Sequence, residues 1–334
     1  MKDEGTLMQK ISGNNLKISF RTGCLLMASL SIARGSSFLF SKHLLGSLEP
    51  LNLLGARFLL AFLILFVLFS RKVITDIKKD PRIVNAALIL GGVYFLCMAA
   101  ELIGLQYTTA STCSFLENSA IVIVPILEAI LLRRFPKPVI ITSTVITFIG
   151  IGLIVFSGSA DGASNRGSIF FGSHLGLGEM LCMIAALTYA AAIIITDRIS
   201  KKYDPLTLGI LYVGSMGLLG FAASFLFETP HLPQSGPEWF MLLALAVLCT
   251  AFGFTIQPVA QKPLSSESAG IICAVNPLTT AVLGWLLMGD ALGLSGIAGA
   301  VLIIIGIILP NVHRSLLTSD NNPPVLPPAS SFWS

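Results

Sequence analysis

Ten long apolar runs set the limits on what this chain can fold into. Each run has about the ~20 residues that a helix needs to cross the hydrocarbon core of a bilayer, and short polar stretches separate the runs. They lie near residues 22–44, 50–70, 84–106, 109–132, 139–157, 176–196, 206–227, 238–260, 268–288 and 291–310. Backbone amides in lipid must be satisfied within one segment, and the runs are about twice the length of a barrel strand. The sequence therefore predicts an all-α polytopic membrane protein with ten transmembrane helices.

Composition and motifs exclude several classes of function. Of the 334 residues 54% are hydrophobic and only 11% are charged, against about 25% charged residues in soluble domains. A soluble enzyme would have too few polar residues to cover its surface. The six cysteines are scattered singly through apolar runs, and the four histidines lie outside those runs, so neither a zinc site nor a Cys/His nucleophile is indicated. Without a phosphate-binding loop or a catalytic motif, we expect no enzyme, no ATP-driven pump and no bound cofactor.

Basic residues predict how the helices are oriented. With the N-terminus in the cytoplasm, 17 of the 21 Lys and Arg residues fall on the cytoplasmic side, and only Lys42 and Arg166 fall on the other. Arg34 and Arg57 lie within apolar runs. The basic segment 71–82 then fits a cytoplasmic loop, and no nucleic-acid partner is expected. The first run also resembles a signal peptide, but no small-residue cleavage site follows it. Both termini are predicted to be cytoplasmic.

The two halves of the chain resemble each other. A polar stretch at 158–174 divides the ten runs into five and five, and Glu49-Pro50-Leu51 matches Asp204-Pro205-Leu206 at an offset near 155 residues. Because five crossings are an odd number, the second half must enter the membrane with the opposite orientation. The predicted organisation is a cytoplasmic N-terminal tail (1–17), a first five-helix repeat (18–157), an extracytoplasmic linker (158–174), a second, inverted five-helix repeat (175–311) and a disordered cytoplasmic tail (312–334).

Short motifs in both halves point to a known family. They are Gly35-Ser36-Ser37-Phe38 with Lys42, Ala56-Arg57-Phe58-Leu59-Leu60-Ala61, Tyr107-Thr108-Thr109-Ala110-Ser111, Ala186-Leu187-Thr188-Tyr189-Ala190, Asn276-Pro277-Leu278, Leu287-Met288-Gly289-Asp290 and Gly306. With these motifs the chain resembles the drug/metabolite transporter superfamily, and within it the EamA-type carriers, over residues 18–311. The resemblance implies ten helices in two inverted repeats, and a multi-pass protein of the cytoplasmic (inner) membrane. It also implies export of amino acids, related metabolites or toxic compounds, linked to a proton gradient.

The chain departs from the family pattern at two places. Arg34 stands where family members commonly have Trp, and Arg133-Arg134 replaces the acidic residue that usually follows the fourth helix. The first change puts the substrate class in doubt, because an arginine would alter the lining of the transport path.

Four ionisable residues lie at bilayer depth. Arg34, Arg57, Glu101 and Glu117 fall between about 8 and 15 Å from the predicted outer end of their helices, at ~1.5 Å per residue. Each such group costs at least ~2.5 kcal/mol in lipid and needs a partner or a function. Two interpretations stay open, which are structural ion pairs among the first four helices and a substrate or proton site. Glu117 or Glu101 is the candidate proton carrier.

Two prolines mark the predicted binding region. Pro125 and Pro277 interrupt the fourth and ninth runs at corresponding positions, and Asn118 and Asn276 lie beside them. Interrupted helices at matching places in two repeats are typical of a transporter's binding site, although a packing kink is the alternative. The predicted substrate-binding or gating residues are Arg34, Ser37, Arg57, Glu101, Glu117, Asn118, Pro125, Asn276 and Pro277.

The sequence thus predicts a secondary active transporter, acting as an exporter of small metabolites such as amino acids, that works by alternating access. A carrier of a nucleotide-type or other anionic metabolite in the same superfamily is the main alternative. A channel or an intramembrane enzyme is a further one. The expected partners are a small-molecule substrate and the lipid bilayer, with monomer and homo-oligomer both open.

Overall fold

A computed structural model describes residues 18–132, 136–157, 176–288 and 294–319. These residues form helices, with no strand in the described ranges. In chain order the helices are α1 (Phe20–Leu44), α2 (Pro50–Lys79), α3 (Arg82–Tyr107), α4 (Ala110–Asn118), α5 (Ala120–Leu132), α6 (Pro138–Ser157), α7 (Leu177–Lys202), α8 (Pro205–Phe227), α9 (Gly236–Ala244), a π-helical segment (Leu245–Phe252), α10 (Gly253–Thr255), α11 (Gln257–Gln261), α12 (Ser266–Ile272), α13 (Val275–Met288) and α14 (Leu294–Ser319).

Every predicted apolar run corresponds to helical structure. Eight stretches are long and apolar enough to cross a membrane, and two shorter apolar helices, Pro138–Leu153 and Leu294–Leu309, occupy the fifth and tenth runs. The all-helical prediction is therefore confirmed for the described residues. The predicted segments 1–17 and 158–174 lie outside those residues, and the predicted tail 312–334 is described only as far as Ser319.

Helices from the two halves pack tightly against each other, α2 with α8, α3 with α7, and α6 with α14. Glycines make the close approach of α2 and α8 possible, as in many membrane helix pairs. A Cβ atom added to Gly55 would lie 2.7 Å from the backbone nitrogen of Phe221, and one added to Gly217 would lie 2.6 Å from that of Leu59. At these points backbone lies against backbone.

Polar groups join both ends of the α2–α8 pair. At the start of α2, the Glu228 carboxylate accepts hydrogen bonds from the N–H groups of Leu51 (2.8 Å) and Asn52 (2.7 Å). These are helix N-terminal donors that have no partner within the helix. At the start of α8, Asp204 accepts from the Thr207 N–H (2.9 Å) and pairs with Lys72 Nζ of α2 (3.0 Å). The two helices therefore run antiparallel and are fastened at each end.

Lys42, which the sequence predicts to lie on the outer side, also has a structural role. Its Nζ donates to the carbonyl oxygens of Leu105 (2.5 Å) and Thr108 (2.8 Å) at the end of α3. A cation is favourable there because the last carbonyls of a helix lack intrahelical partners. The contact ties α1 to the end of α3.

The fourth and ninth runs are each broken into two helices. The break between α4 and α5 falls at Ser119, and the break between α12 and α13 falls at Cys273 and Ala274. A proline inside a helix removes the hydrogen bond to the carbonyl four residues back, which for Pro277 is the carbonyl of Cys273. For Pro125 it is the carbonyl of Ile121, and the break in the fourth run lies two residues before that residue.

Side chains explain the earlier break. Asn118 Nδ2 donates to the Ser114 carbonyl (2.8 Å), and Ser119 Oγ donates to the Leu116 carbonyl (2.6 Å). Such bonds compete with the backbone ladder of the helix. Pro125 therefore sits inside α5, beyond the break.

Candidate functional site

Arg34 of α1 is buried at the centre of the molecule. Its guanidinium lies between the rings of Tyr189 and Phe254, at 4.5 Å from each ring centroid. Nη1 donates to the Tyr189 hydroxyl (2.6 Å) and to Gln257 Oε1 (3.3 Å). Nη2 lies 3.6 Å from Glu117 Oε1. Planar stacking and several directed hydrogen bonds suit arginine and would not suit lysine.

Arg57 of α2 is fully buried and is held mainly by hydroxyl groups. Its Nε donates to Thr250 Oγ1 (3.0 Å), and Nη1 donates to Ser41 Oγ (3.4 Å). Thr250 lies in the π-helical segment and donates in turn to the Leu245 carbonyl, five residues back (3.0 Å). Single π-turns in α-helices often occur at functional sites. Arg57 Nη2 has no hydrogen-bond partner among the described residues.

Two carboxyl groups meet beside Arg34. Glu101 of α3 and Glu117 of α4 are both 1% exposed, and the two carboxyl groups are close enough to influence each other electrostatically. Glu117 Oε1 also lies 3.9 Å from Cys97 Sγ. Its other oxygen, Oε2, is buried without a partner in the described part of the chain.

The two asparagines contact each other across the two halves, next to the helix breaks. Because Asn118 Nδ2 donates to a carbonyl, Asn118 Oδ1 is left as an acceptor. Asn276 must then present its Nδ2 to Asn118, at 3.5 Å. This leaves Asn276 Oδ1 buried with no partner within the described ranges.

Gln257 is fixed in the same way. Arginine only donates, so Gln257 must turn its Oε1 toward Arg34. Its Nε2 is then buried and unpaired among the residues described. Several buried polar atoms around the Arg34–Glu117 pair thus have no partner among the described residues, and they include Tyr94 Oη, whose ring packs on Tyr189 and Phe254. We call four of these atoms the open quartet, consisting of the donors Arg57 Nη2 and Gln257 Nε2 and the acceptors Glu117 Oε2 and Asn276 Oδ1.

The structure brings most of the predicted residues together. Arg34 pairs directly with Glu117, and Asn118 with Asn276. Arg57 forms no ion pair within 4.0 Å in the described part of the chain and is bonded to hydroxyls instead. The Ser37 hydroxyl donates to the Arg34 carbonyl of its own helix (2.7 Å), so its proton is already used within α1.

Pro125 and Pro277 are buried close to the two breaks and contribute no polar group. Across the described residues, no three His, Cys, Asp or Glu side chains are grouped as metal ligands would be.

Sequence reasoning missed four residues of the site, Tyr189, Thr250, Phe254 and Gln257. Tyr189 was quoted only as part of a motif, while Thr250 and Gln257 are polar residues inside an apolar run. Buried polar side chains in lipid need partners for the same reason that charged ones do. Applying the same argument to amide and hydroxyl side chains would have identified Thr250 and Gln257.

Comparison with known proteins identifies the family. The sequence profile of the EamA-like transporter family matches residues 21–156 and again residues 176–312, which is most of the chain. The chain belongs to the EamA-like transporter family. It is accordingly a multi-pass membrane transporter of the drug/metabolite transporter superfamily, and not an enzyme. The predicted family is confirmed.

Relatives of this EamA-like transporter are also described as transporters. An uncharacterized transporter of Archaeoglobus fulgidus is 27% identical over 87% of this chain and 97% of its own length. The S-adenosylmethionine/S-adenosylhomocysteine transporter of Chlamydia muridarum is 24% identical over 77% of this chain and 81% of its own. A solved crystal structure with 15% sequence identity matches with a TM-score of 0.68, covering 89% of this chain and 96% of its own. That likeness concerns the fold.

Proposed function

We propose that this EamA-like transporter is a secondary active exporter of small zwitterionic metabolites, such as amino acids and related compounds. The open quartet is the observation that carries the proposal. Buried polar groups without partners are costly, and a transported solute that offers matching groups would satisfy them. Alternating access accounts for their burial, since a carrier closes around its site between the two open states.

The polarity of the quartet supports a zwitterion over an anion. Arg57 Nη2 and Gln257 Nε2 are donors that suit a carboxylate, whereas Glu117 Oε2 and Asn276 Oδ1 are acceptors that suit an ammonium group. An anionic metabolite would satisfy the donors and leave the two acceptors facing negative charge. The carboxylate and the ammonium group of an α-amino acid, by contrast, would both have partners among the quartet atoms.

S-adenosylmethionine is the second candidate substrate. The Chlamydia muridarum relative is described as a transporter of S-adenosylmethionine and S-adenosylhomocysteine. The aminoacyl end of S-adenosylmethionine carries the same ammonium and carboxylate groups as an amino acid. Its sulfonium and adenine would also suit aromatic rings. A carrier for this compound would therefore use the quartet in the same way.

Proton coupling is proposed for the Glu101–Glu117 pair. Two buried carboxylates placed near each other repel, and a proton on either of them removes that repulsion. Glu117 also contacts Arg34, so gain or loss of that proton would change the charge next to the substrate site. Export driven by proton entry would use this change.

The architecture proposed for this cycle is ten crossings in two inverted five-helix repeats, with both termini in the cytoplasm and the protein in the cytoplasmic membrane. The two separate matches of one family profile support a duplicated unit, and the helix breaks at Ser119 and Cys273–Ala274 support matching hinges in the two halves.

Counterflow in liposomes tests the function. Purified protein would be reconstituted with one unlabelled solute inside and screened with labelled amino acids, S-adenosylmethionine and nucleosides outside. We expect saturable exchange of a zwitterion that is lost in Arg34→Ala and strongly reduced in Arg34→Lys, which keeps the charge but loses the stacked plane. Arg198→Ala, at an exposed position in α7, is the matched control and should exchange normally.

Other outcomes of the counterflow experiment would contradict the proposal. Exchange that survives Arg34→Ala would put the substrate elsewhere. Flux without counterflow would indicate a channel, and exchange of anions alone would favour the anionic metabolites.

Glu117→Gln tests the coupling. Glutamine keeps the shape and an acceptor oxygen but cannot carry the proton, so we expect exchange to continue with a weaker affinity for the solute, while accumulation driven by a pH gradient is lost. Glu238→Gln, at a partly exposed position in the first turn of α9, should retain both activities. If the gradient still drives transport in Glu117→Gln and in Glu101→Gln, neither residue is the proton carrier.

A further inference from the structure

Two thiols from different halves of the chain lie in contact. Cys113 Sγ of α4 and Cys182 Sγ of α7 are 3.1 Å apart, and both side chains are fully buried. A disulfide bond is about 2.05 Å long. The two sulfur atoms would therefore need to approach by about 1 Å, a distance that small side-chain rotations can cover.

The surroundings hold the thiols in this position. Cys113 Sγ lies 3.8 Å from the Glu101 carbonyl oxygen, one turn of α3 before Gly104. A Cβ atom on Gly104 would come within 3.0 Å of Cys182 Sγ. The missing side chain of Gly104 thus leaves the space that Cys182 occupies.

Each cysteine shares a helix face with a residue that binds Arg34. Glu117 follows Cys113 by four residues in α4, and Tyr189 follows Cys182 by seven residues in α7, both spacings that return to one face of a helix. A covalent bond between the cysteines would therefore fix the distance between the two helices that hold Arg34. It would also join the two segments that match the family profile.

The pair lies near the starts of α4 and α7, where Thr108 Oγ1 donates to Glu179 Oε1 (3.0 Å). In the proposed orientation, on which this step rests, that end faces the outside. Disulfides form and persist in the oxidising compartments outside the cytoplasm.

We propose that Cys113 and Cys182 form a reversible dithiol–disulfide site that locks the carrier when it is oxidised. The oxidant is a disulfide-containing compound or protein. One thiol attacks it, releasing one thiol of the oxidant, and the second cysteine then attacks the mixed disulfide and releases the other. The two cysteine sulfurs lose two electrons and two protons, and the oxidant's disulfide becomes two thiols. Opening of the outer end admits the oxidant, and closing brings the second thiol to the first.

Counting thiols tests the site without any substrate. Protein in liposomes would be treated with diamide, a diazene that takes the two electrons and two protons and becomes a hydrazine. The protein would then be unfolded and labelled with a maleimide mass tag. The chain has six free cysteines, so we expect six tags before oxidation and four after it. Cys113→Ser, Cys113→Ala and Cys182→Ser should each carry five tags under both conditions.

Transport gives the second readout. Counterflow of the wild type should stop on oxidation and return with dithiothreitol, whereas the single variants should keep their exchange in diamide. Six tags on the oxidised wild type, or a loss of two tags from Cys113→Ser, would overturn the site. Four tags with unchanged counterflow would overturn the lock. Because the tags need no substrate, a failed substrate screen would count against the proposed function and not against the disulfide.

Discussion

At Asn118 one hydrogen bond decides the direction of two amides. The Asn118 Nδ2 donates to the Ser114 carbonyl, so the Asn118 Oδ1 faces Asn276. Asn276 must therefore donate through its Nδ2. In a similar way, Arg34 has only donors, so Gln257 must direct its Oε1 toward Arg34. In the proposed site, the atoms left free to bind a solute are thus set by the hydrogen bonds of neighbouring side chains.

Asp204 supports a prediction about stability and pH. Burial disfavours its charged form, but the Thr207 N–H and Lys72 outweigh this effect and hold the pKa of Asp204 below its usual value. The resulting stabilisation is present above the pH at which an unfolded aspartate titrates, about 3.9, and is lost as the pH falls through the lowered pKa. We expect Asp204→Asn, which keeps the cap acceptor but loses the ion pair, to melt below the wild type at neutral pH.

Thermal unfolding in detergent, from neutral pH to below about pH 4, would check this. The difference between Asp204→Asn and the wild type should narrow as the pH falls. Asp80 is a suitable control because it accepts the Arg82 N–H (3.1 Å) and has no ion pair within 4.0 Å among the described residues. If the difference in melting temperature between Asp204→Asn and the wild type stays constant over the whole pH range, the ion pair is not its source.

At the scale of residues, sequence reasoning identified the charges and missed their neighbours. A charge in an apolar run is conspicuous because lipid penalises it. The partners of Arg34 are an aromatic pair, an amide and one carboxylate, brought from three other apolar runs of the chain. Nothing in local sequence says which aromatic rings will meet a guanidinium, because that depends on how distant helices pack.

At the scale of elements, the existence of the helices could be predicted and their interruptions only in part. Length and hydropathy mark each run, and Pro277 indicates the break at Cys273 correctly. The break at Ser119 arises from side-chain hydrogen bonds that compete with the hydrogen bonds of the helix. The π-helical segment contains no proline from which it could have been predicted. Both are small differences in bonding, which the apolar pattern does not reveal.

Two glycines give a paired prediction for the α2–α8 contact. Gly217→Ala places a methyl group 2.6 Å from the Leu59 nitrogen, whereas Gly92→Ala in α3 meets nothing within 4 Å. We expect the first to destabilise the protein by about 1–3 kcal/mol through overpacking. The second should be neutral or stabilising by up to about 1 kcal/mol, since alanine favours helix. Melting of both variants in one detergent would decide, and equal stabilities would show that the helices can move apart.

For the whole molecule, the odd number of crossings in each half has a direct topological test. With the N-terminus inside, Gln234 lies outside and Lys79 inside, and both side chains are exposed. In sealed right-side-out vesicles, a membrane-impermeant maleimide should label Gln234→Cys at once. It should reach Lys79→Cys only after the vesicles are opened. Labelling of both positions from the same side would contradict the proposed arrangement of ten crossings.

The backbone contact between α2 and α8 also bears on how such a sequence can diverge. Where two side chains meet, a larger residue on one helix can be balanced by a smaller one on the other. At Gly55 and Gly217 no smaller residue exists, so an enlarged position has no compensating change on the facing helix. Random mutagenesis would find these glycines as intolerant as Arg34, although they touch no solute. Sensitivity to mutation alone would therefore not distinguish the residues that pack the helices from the residues that bind the solute.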